Sequence, residues 1–193
     1  NQKPIFLENK DYIKSGLLRF SCGLALKLVI ADELGRLNDI AFNTPYIGIS
    51  SIDVLTMAFG FGLQIYFDFS AYSHMAIGIS EMIGLRIKEN FNFPFLSNSA
   101  TSFWRKWHIS LSSWVSDYLY SPLNNNLPRS IFGIIPLLIT WSIMGLWHGS
   151  SWLFIIWGLI NGFLVFIHRV FKTKIESKIF KYFKSNKLFL NIT

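Results

Sequence analysis

From residue 130 to residue 168 the chain runs for 39 residues without a Lys, Arg, Asp or Glu. No other feature limits the fold so strongly. As one continuous helix this run would be about 58 Å long, nearly twice the roughly 30 Å hydrocarbon core of a bilayer. It therefore predicts two spans with a break between them, and the natural break is His148-Gly149-Ser150-Ser151. Composition points the same way. Only 15% of residues are charged and 51% are hydrophobic, whereas globular chains carry about a quarter charged residues. The expected class is all-α, a polytopic integral membrane protein.

The net charge of +7 is concentrated at one end. Seven of the 18 Lys and Arg fall between Arg169 and Lys187, against Glu176 alone. A basic segment can bind nucleic acid, but this one directly follows a charge-free run, so the positive-inside rule explains it more simply. Residues 169–193 are expected on the cytoplasmic side, and no nucleic-acid partner is expected. Cys22 is the only cysteine, which excludes an intrachain disulfide. The chain begins at Asn1 with no signal-peptide pattern. It is expected to be a partial chain, read as one membrane domain over 1–193.

Elsewhere, residues 15–31 are apolar, with Arg19 and Lys27 on one helical face, as in a tilted span or an interfacial helix. Residues 32–45 form a polar connection. Residues 45–67 and 69–85 are two further apolar segments, and Asp68 between them has the place of a helix N-cap. Residues 86–102, with Pro94, predict a loop, as do residues 121–129. Between them, Trp104, Trp107, His108, Leu111, Trp114, Val115 and Tyr118 recur at spacings of three and four, which predicts one amphipathic helix over 103–120.

His148 interrupts the apolar run in GLWHGSSW. It has two readings: a helix-end residue at the membrane interface, with Trp147 and Trp152 in an aromatic belt, or an intramembrane ionisable group that serves function. An imidazole near neutral pH can accept a hydroxyl proton. His108 either packs on the apolar face of its helix or donates a hydrogen bond to a substrate carbonyl. Arg105 and Lys106 either snorkel or meet lipid headgroups or an anionic substrate such as a coenzyme phosphate. Asp117, in SDYLY, is placed to hold a tyrosine or histidine proton, and Asp68 and Asp117 both suit structural service better than catalysis. His168 opens the basic tail as a solvated interface residue. His74 lies six residues after Asp68, and there is no HxxxH, HExxH or cysteine cluster, so no metal site is expected. The serine-nucleophile elbow GxSxG is absent, and the many serines suit packing between membrane helices.

Three blocks, IYFDFSAYSHMAIGISEMIGLRIKENFNFPF, SFWRKWHISLSSWVSDYLYSPL and GLWHGSSWLFIIWGLINGF, resemble successive blocks of the membrane-bound O-acyltransferase family. The likeness is greatest to its bacterial branch of alginate O-acetylation, peptidoglycan O-acetylation and teichoic acid D-alanylation membrane proteins. GLALKLVIADEL resembles a further family block, so the resemblance covers about residues 16–169. It implies a helical fold around a funnel where acyl donor and hydroxyl acceptor meet, in the bacterial inner (cytoplasmic) membrane. It implies that His148 is the family's catalytic histidine and His108 the second histidine of the bacterial branch. His74 stands where the family often has an acidic residue, and no role is assigned to it.

The function expected from the resemblance is O-acetyl transfer from acetyl-CoA or another cytoplasmic acyl thioester toward hydroxyls of an extracytoplasmic polysaccharide, with a separate extracytoplasmic transferase as partner and no bound cofactor. His148 is expected as general base and His108 as the group that polarises the thioester. Trp104, Arg105 and Trp107 are candidate donors to the tetrahedral oxyanion. Asp68 and Asp117 complete the candidate substrate-binding set. D-alanyl transfer to teichoic acid is the alternative. A non-catalytic channel or scaffold is another, and it would tolerate His148→Ala.

Overall fold

The computed structural model describes residues 5–6, 11–43, 49–126 and 133–190, with side chains described for 11–43, 49–126 and 133–175. The chain divides into two compact units, Asn1–Asn90 and Phe91–Thr193. Among the described residues the regular structure is helical apart from one two-residue antiparallel pair in the first unit, β1 (Ile5–Phe6) with β2 (Leu85–Arg86).

The first unit is built on α1 (Tyr12–Ala25) and α3 (Ser51–Met82). A π-helical stretch, Leu26–Ala31, joins α1 to α2 (Asp32–Asn43). Small residues let α1 and α3 approach closely. A Cβ built on Gly16 would lie 2.6 Å from the Gly78 carbonyl oxygen, and one on Gly23 would lie 2.8 Å from that of Ala71. Ser70, Ser73 and Ser80 are buried with Ala71. The Ser73 and Ser80 hydroxyls donate to the carbonyls of Phe69 and Leu85. The large apolar side chains face outward instead: Leu18 is 67% exposed and Leu55 70%. Small residues inside and large apolar ones outside invert the pattern of water-soluble domains and match helix packing in lipid.

Three sequence expectations change here. Residues 45–67 and 69–85 are not two segments, because α3 runs unbroken for 32 residues. Asp68 is therefore inside a helix and caps nothing. The helix starts at Ser50, whose hydroxyl accepts from the Asp53 N–H while the Asp53 carboxylate accepts from the Ser50 N–H. That reciprocal capping box accounts for the one charge in the first part of the segment. Within the helix Asp68 is paired, with Lys27 Nζ 2.6 Å from its carboxylate. The polar connection is mostly helix α2: Asp32 and Glu33 occupy its first turn, where carboxylates favour the helix dipole, and Glu33 pairs with Arg36. Arg19 and Lys27 do share a face, and each meets carboxylates of α3: Arg19 reaches Glu81, and Glu89 beyond the helix, and Lys27 reaches Asp68.

The second unit holds α4 (Ala100–Lys106), α5 (Ile109–Val115), a π-helical stretch Ser116–Tyr120, α6 (Ser121–Asn126), α7 (Ile134–His148) and α8 (Trp152–Leu190). α7 and α8 pack as a hairpin around Gly145 and Gly158. A Cβ on Gly145 would collide with the Phe154 carbonyl, and one on Gly158 with that of Trp141. The chain breaks at 149–151, as the 39-residue run requires. The lengths differ from two equal spans. Among the described residues, Ser51–Met82 and Trp152–Ile175 are long and apolar enough to cross a bilayer, while Ile134–His148 is apolar but shorter. α8 also continues through His168 into the basic segment instead of ending before it. The part of the predicted 121–129 loop that is described, Ser121–Asn126, is helical, and the rest lies outside the described residues.

Candidate active site

The predicted helix over 103–120 is interrupted at its second tryptophan. Trp107 is extended, and His108 is left-handed at φ 46° and ψ 57°. A non-glycine residue in this region carries strain, though His is among the types enriched there. The break has its own satisfaction: the His108 carbonyl accepts from the Ser112 N–H at 2.9 Å, and the Trp107 carbonyl accepts from the Ser112 hydroxyl at 3.0 Å. His108 thus heads α5 at a corner instead of lying along a continuous helical face. Its Nδ1 is 3.4 Å from Ser110 Oγ. Strained corners of this kind concentrate at functional sites.

His148 ends α7 and is exposed. Its ring lies edge-on to Trp147 at 4.9 Å and to Trp157 at 4.9 Å, and it is stacked on Phe154 at 6.4 Å. The aromatic group that orients it therefore comes largely from α8. Trp152, expected beside it in a belt, is 78% exposed. Trp157 also meets Trp104, at 5.8 Å, and Trp104 meets Trp141 at 4.7 Å. Three tryptophans from α4, α7 and α8 thus form one cluster with His148 at its margin.

His108 and His148 come from separate elements of the same unit. Burial holds the His108 imidazole below its ordinary range. This keeps His108 neutral near pH 7, when it can either donate or accept a hydrogen bond.

The remaining candidates are dispersed. Trp107 stacks on Phe103 and packs against Phe91 and Phe95, and Phe103 joins this group to the three-tryptophan cluster through Trp104, at 5.2 Å. Asp68 belongs to the first unit and pairs with Lys27, which also binds Asp32. Asp117 is exposed, and no hydrogen bond joins it to a tyrosine or histidine among the described residues. Arg105 lines a different cavity, which neither His108 nor His148 borders. His168 is not simply solvated: it is half-buried, and its Nδ1 lies 2.9 Å from Thr101 Oγ1. Sequence reasoning missed Trp141, Trp157 and the His168–Thr101 contact. Pairing Gly145 with Gly158 across the break would have set the hairpin register and pointed to both tryptophans. No spacing rule links His168 to Thr101, 67 residues away.

A histidine corner and an apolar helical hairpin, on a chain with outward apolar faces, define a helical membrane protein. The sequence profile of the membrane-bound O-acyltransferase family matches residues 1–190. The chain is 44% identical over 164 residues to the probable alginate O-acetylase AlgI of Azotobacter vinelandii, covering 84% of this chain and 32% of that protein. It is 39% identical over 163 residues to the peptidoglycan O-acetyltransferase of Helicobacter pylori, covering 84% and 31%. It is 29% identical over 191 residues to the teichoic acid D-alanyltransferase of Bacillus subtilis, covering 93% and 47%. The chain belongs to the membrane-bound O-acyltransferase family. It spans about a third of the length of the first two relatives and about half of the third.

Proposed function

We propose that this chain carries the histidine centre of a multi-pass O-acyltransferase of the bacterial inner membrane, one that moves acetyl groups from a cytoplasmic acyl thioester, such as acetyl-CoA, toward hydroxyls of an extracytoplasmic polysaccharide. What supports this reading is that one unit holds both histidines, His108 at a left-handed corner and His148 at a helix end beside the tryptophan cluster. In this scheme His148 takes the proton of the acceptor hydroxyl as its oxygen attacks the thioester carbonyl carbon. His108 donates to the carbonyl oxygen as it becomes an oxyanion. Collapse breaks the C–S bond, and the proton held by His148 passes to the departing thiolate. Trp104 supports His148 through Trp157 and lines the site. Trp107 holds the corner that aims His108. Asp68, held by Lys27 in the first unit, and Asp117, in the second, each serve the fold of their own unit.

The two units together would form one membrane domain, with residues 169–193 on the cytoplasmic face and a separate extracytoplasmic transferase completing delivery. Acetyl transfer is favoured over D-alanyl transfer by the higher identity to the alginate and peptidoglycan relatives. The test uses the full-length parent protein in membranes. Acylation of the surface polysaccharide is compared among wild type, His148→Ala and His148→Gln at matched membrane abundance. Loss of acylation in both variants is expected. Near wild-type acylation in either would leave His148 as an interface residue and favour a channel or scaffold.

A further inference from the structure

α4 also borders a cavity of about 490 Å³ within the second unit. Arg105 from α4 and Arg169 and Lys172 from α8 line it, together with the hydroxyls of Thr101 and Ser102 and the imidazole of His168. Among the described residues, no carboxylate lines it. The walls are held in place. Thr101 and His168 join α4 to α8 at 2.9 Å. Arg169 Nη1 donates to the Tyr120 hydroxyl at 2.6 Å, and its guanidinium lies 5.4 Å from the centre of the Tyr120 ring. The plane of that fork is therefore fixed before any ligand arrives.

Positive-inside placement explains why cations follow an apolar span. It does not explain why Arg105, from a different helix, converges with Arg169 on one concavity with hydroxyl groups. The two guanidiniums, of Arg105 and Arg169, line the same concavity from two helices, and an anion placed between them would be attracted by both. A guanidinium offers paired donors matched to phosphate oxygens, and hydroxyls supply further donors at short range. We propose that this cavity binds a phosphate group at the end of the α8 span. Two sources carry that chemistry, the headgroup of an anionic phospholipid and a water-soluble phosphate ester. The proposal does not depend on the histidine chemistry, because its readout is binding and not acyl transfer.

The test uses the full-length protein purified in detergent, with two probes: dioleoyl-phosphatidylglycerol in mixed micelles, and pyrophosphate. Affinity for each is measured for wild type, Arg105→Gln, Arg169→Gln and the double variant, with Lys88→Gln as an exposed cation outside the cavity. Each single cavity variant is expected to weaken at least one probe about tenfold, or about 1.4 kcal/mol, while Lys88→Gln changes either by less than about twofold. Loss confined to the lipid assigns the headgroup as the source, and loss confined to pyrophosphate assigns a soluble ester. Arg105→Lys, which keeps the charge but not the fork, serves if Arg105→Gln fails to insert, with an intermediate loss expected. The proposal is overturned if wild type binds neither probe, if the cavity variants match wild type for both, or if Lys88→Gln weakens binding as much as they do.

Discussion

Gly145 offers a direct test of how the site is held. A Cβ at this position would collide with the Phe154 carbonyl oxygen and come within 2.8 Å of the Phe154 carbonyl carbon and 3.1 Å of the Ile155 Cα. These are backbone atoms of a helix, so no side-chain rotation relieves them, and α7 and α8 must move apart. Overpacking of this kind costs about 1–3 kcal/mol, partly offset by the roughly 0.5–1 kcal/mol gained when Ala replaces Gly inside a helix. The net expectation is a loss of about 1–2 kcal/mol for Gly145→Ala, with a similar loss for Gly158→Ala, whose Cβ would meet the Trp141 carbonyl. Gly62→Ala is the internal control: it is also inside a helix, and nothing lies within 4 Å of its added Cβ. It should gain the helical benefit alone. His148 lies three residues beyond Gly145, and a displacement of roughly 1 Å can cost about 10²-fold in rate. Thermal unfolding of the full-length protein in detergent, with polysaccharide acylation at matched abundance, reads both effects. If Gly145→Ala and Gly158→Ala are as stable and active as Gly62→Ala, the close approach of the two helices is wrong.

Three further outcomes follow from particular contacts. The folded-state imidazole of His108 is held below its ordinary range, so the unfolded chain binds the proton more readily. The contribution of His108 to stability is then fully present above about pH 6.5 and declines as pH falls toward the folded-state value; unfolding scans from pH 5 to 8 should show this acid-side loss in wild type relative to His108→Gln, and a difference independent of pH would contradict it. Asp68→Asn removes one of the two carboxylates on Lys27; with both side chains more than a third exposed, the expected destabilisation is at most about 1 kcal/mol, and an unchanged or raised melting temperature would show that the pair contributes nothing. Ser50→Ala removes the hydroxyl half of the capping box and should cost about 1 kcal/mol, whereas Ser50→Asn should retain most of it; equal melting temperatures for the two variants would count against the cap.

The sequence by itself determined the class and the major break. A 39-residue run without a formal charge cannot be one ordinary span, and the small polar residues after His148 are where the chain turns. The shared face of Arg19 and Lys27 was equally legible, because helical periodicity is local. Periodicity failed where distant groups overrode it. Asp68 reads as a boundary until Lys27, 41 residues earlier, is seen to neutralise it within a continuous helix. The Trp104–Tyr118 pattern reads as one helix, yet the chain turns at Trp107 and His108, where Trp107 packs against Phe91 and Phe95. The site divides along the same line. The two histidines stood out because imidazoles are rare in such surroundings. The contact of Trp157 with His148 and the cavity joining Arg105 to Arg169 were decided only by the tertiary structure, because each depends on how separate helices are placed in space.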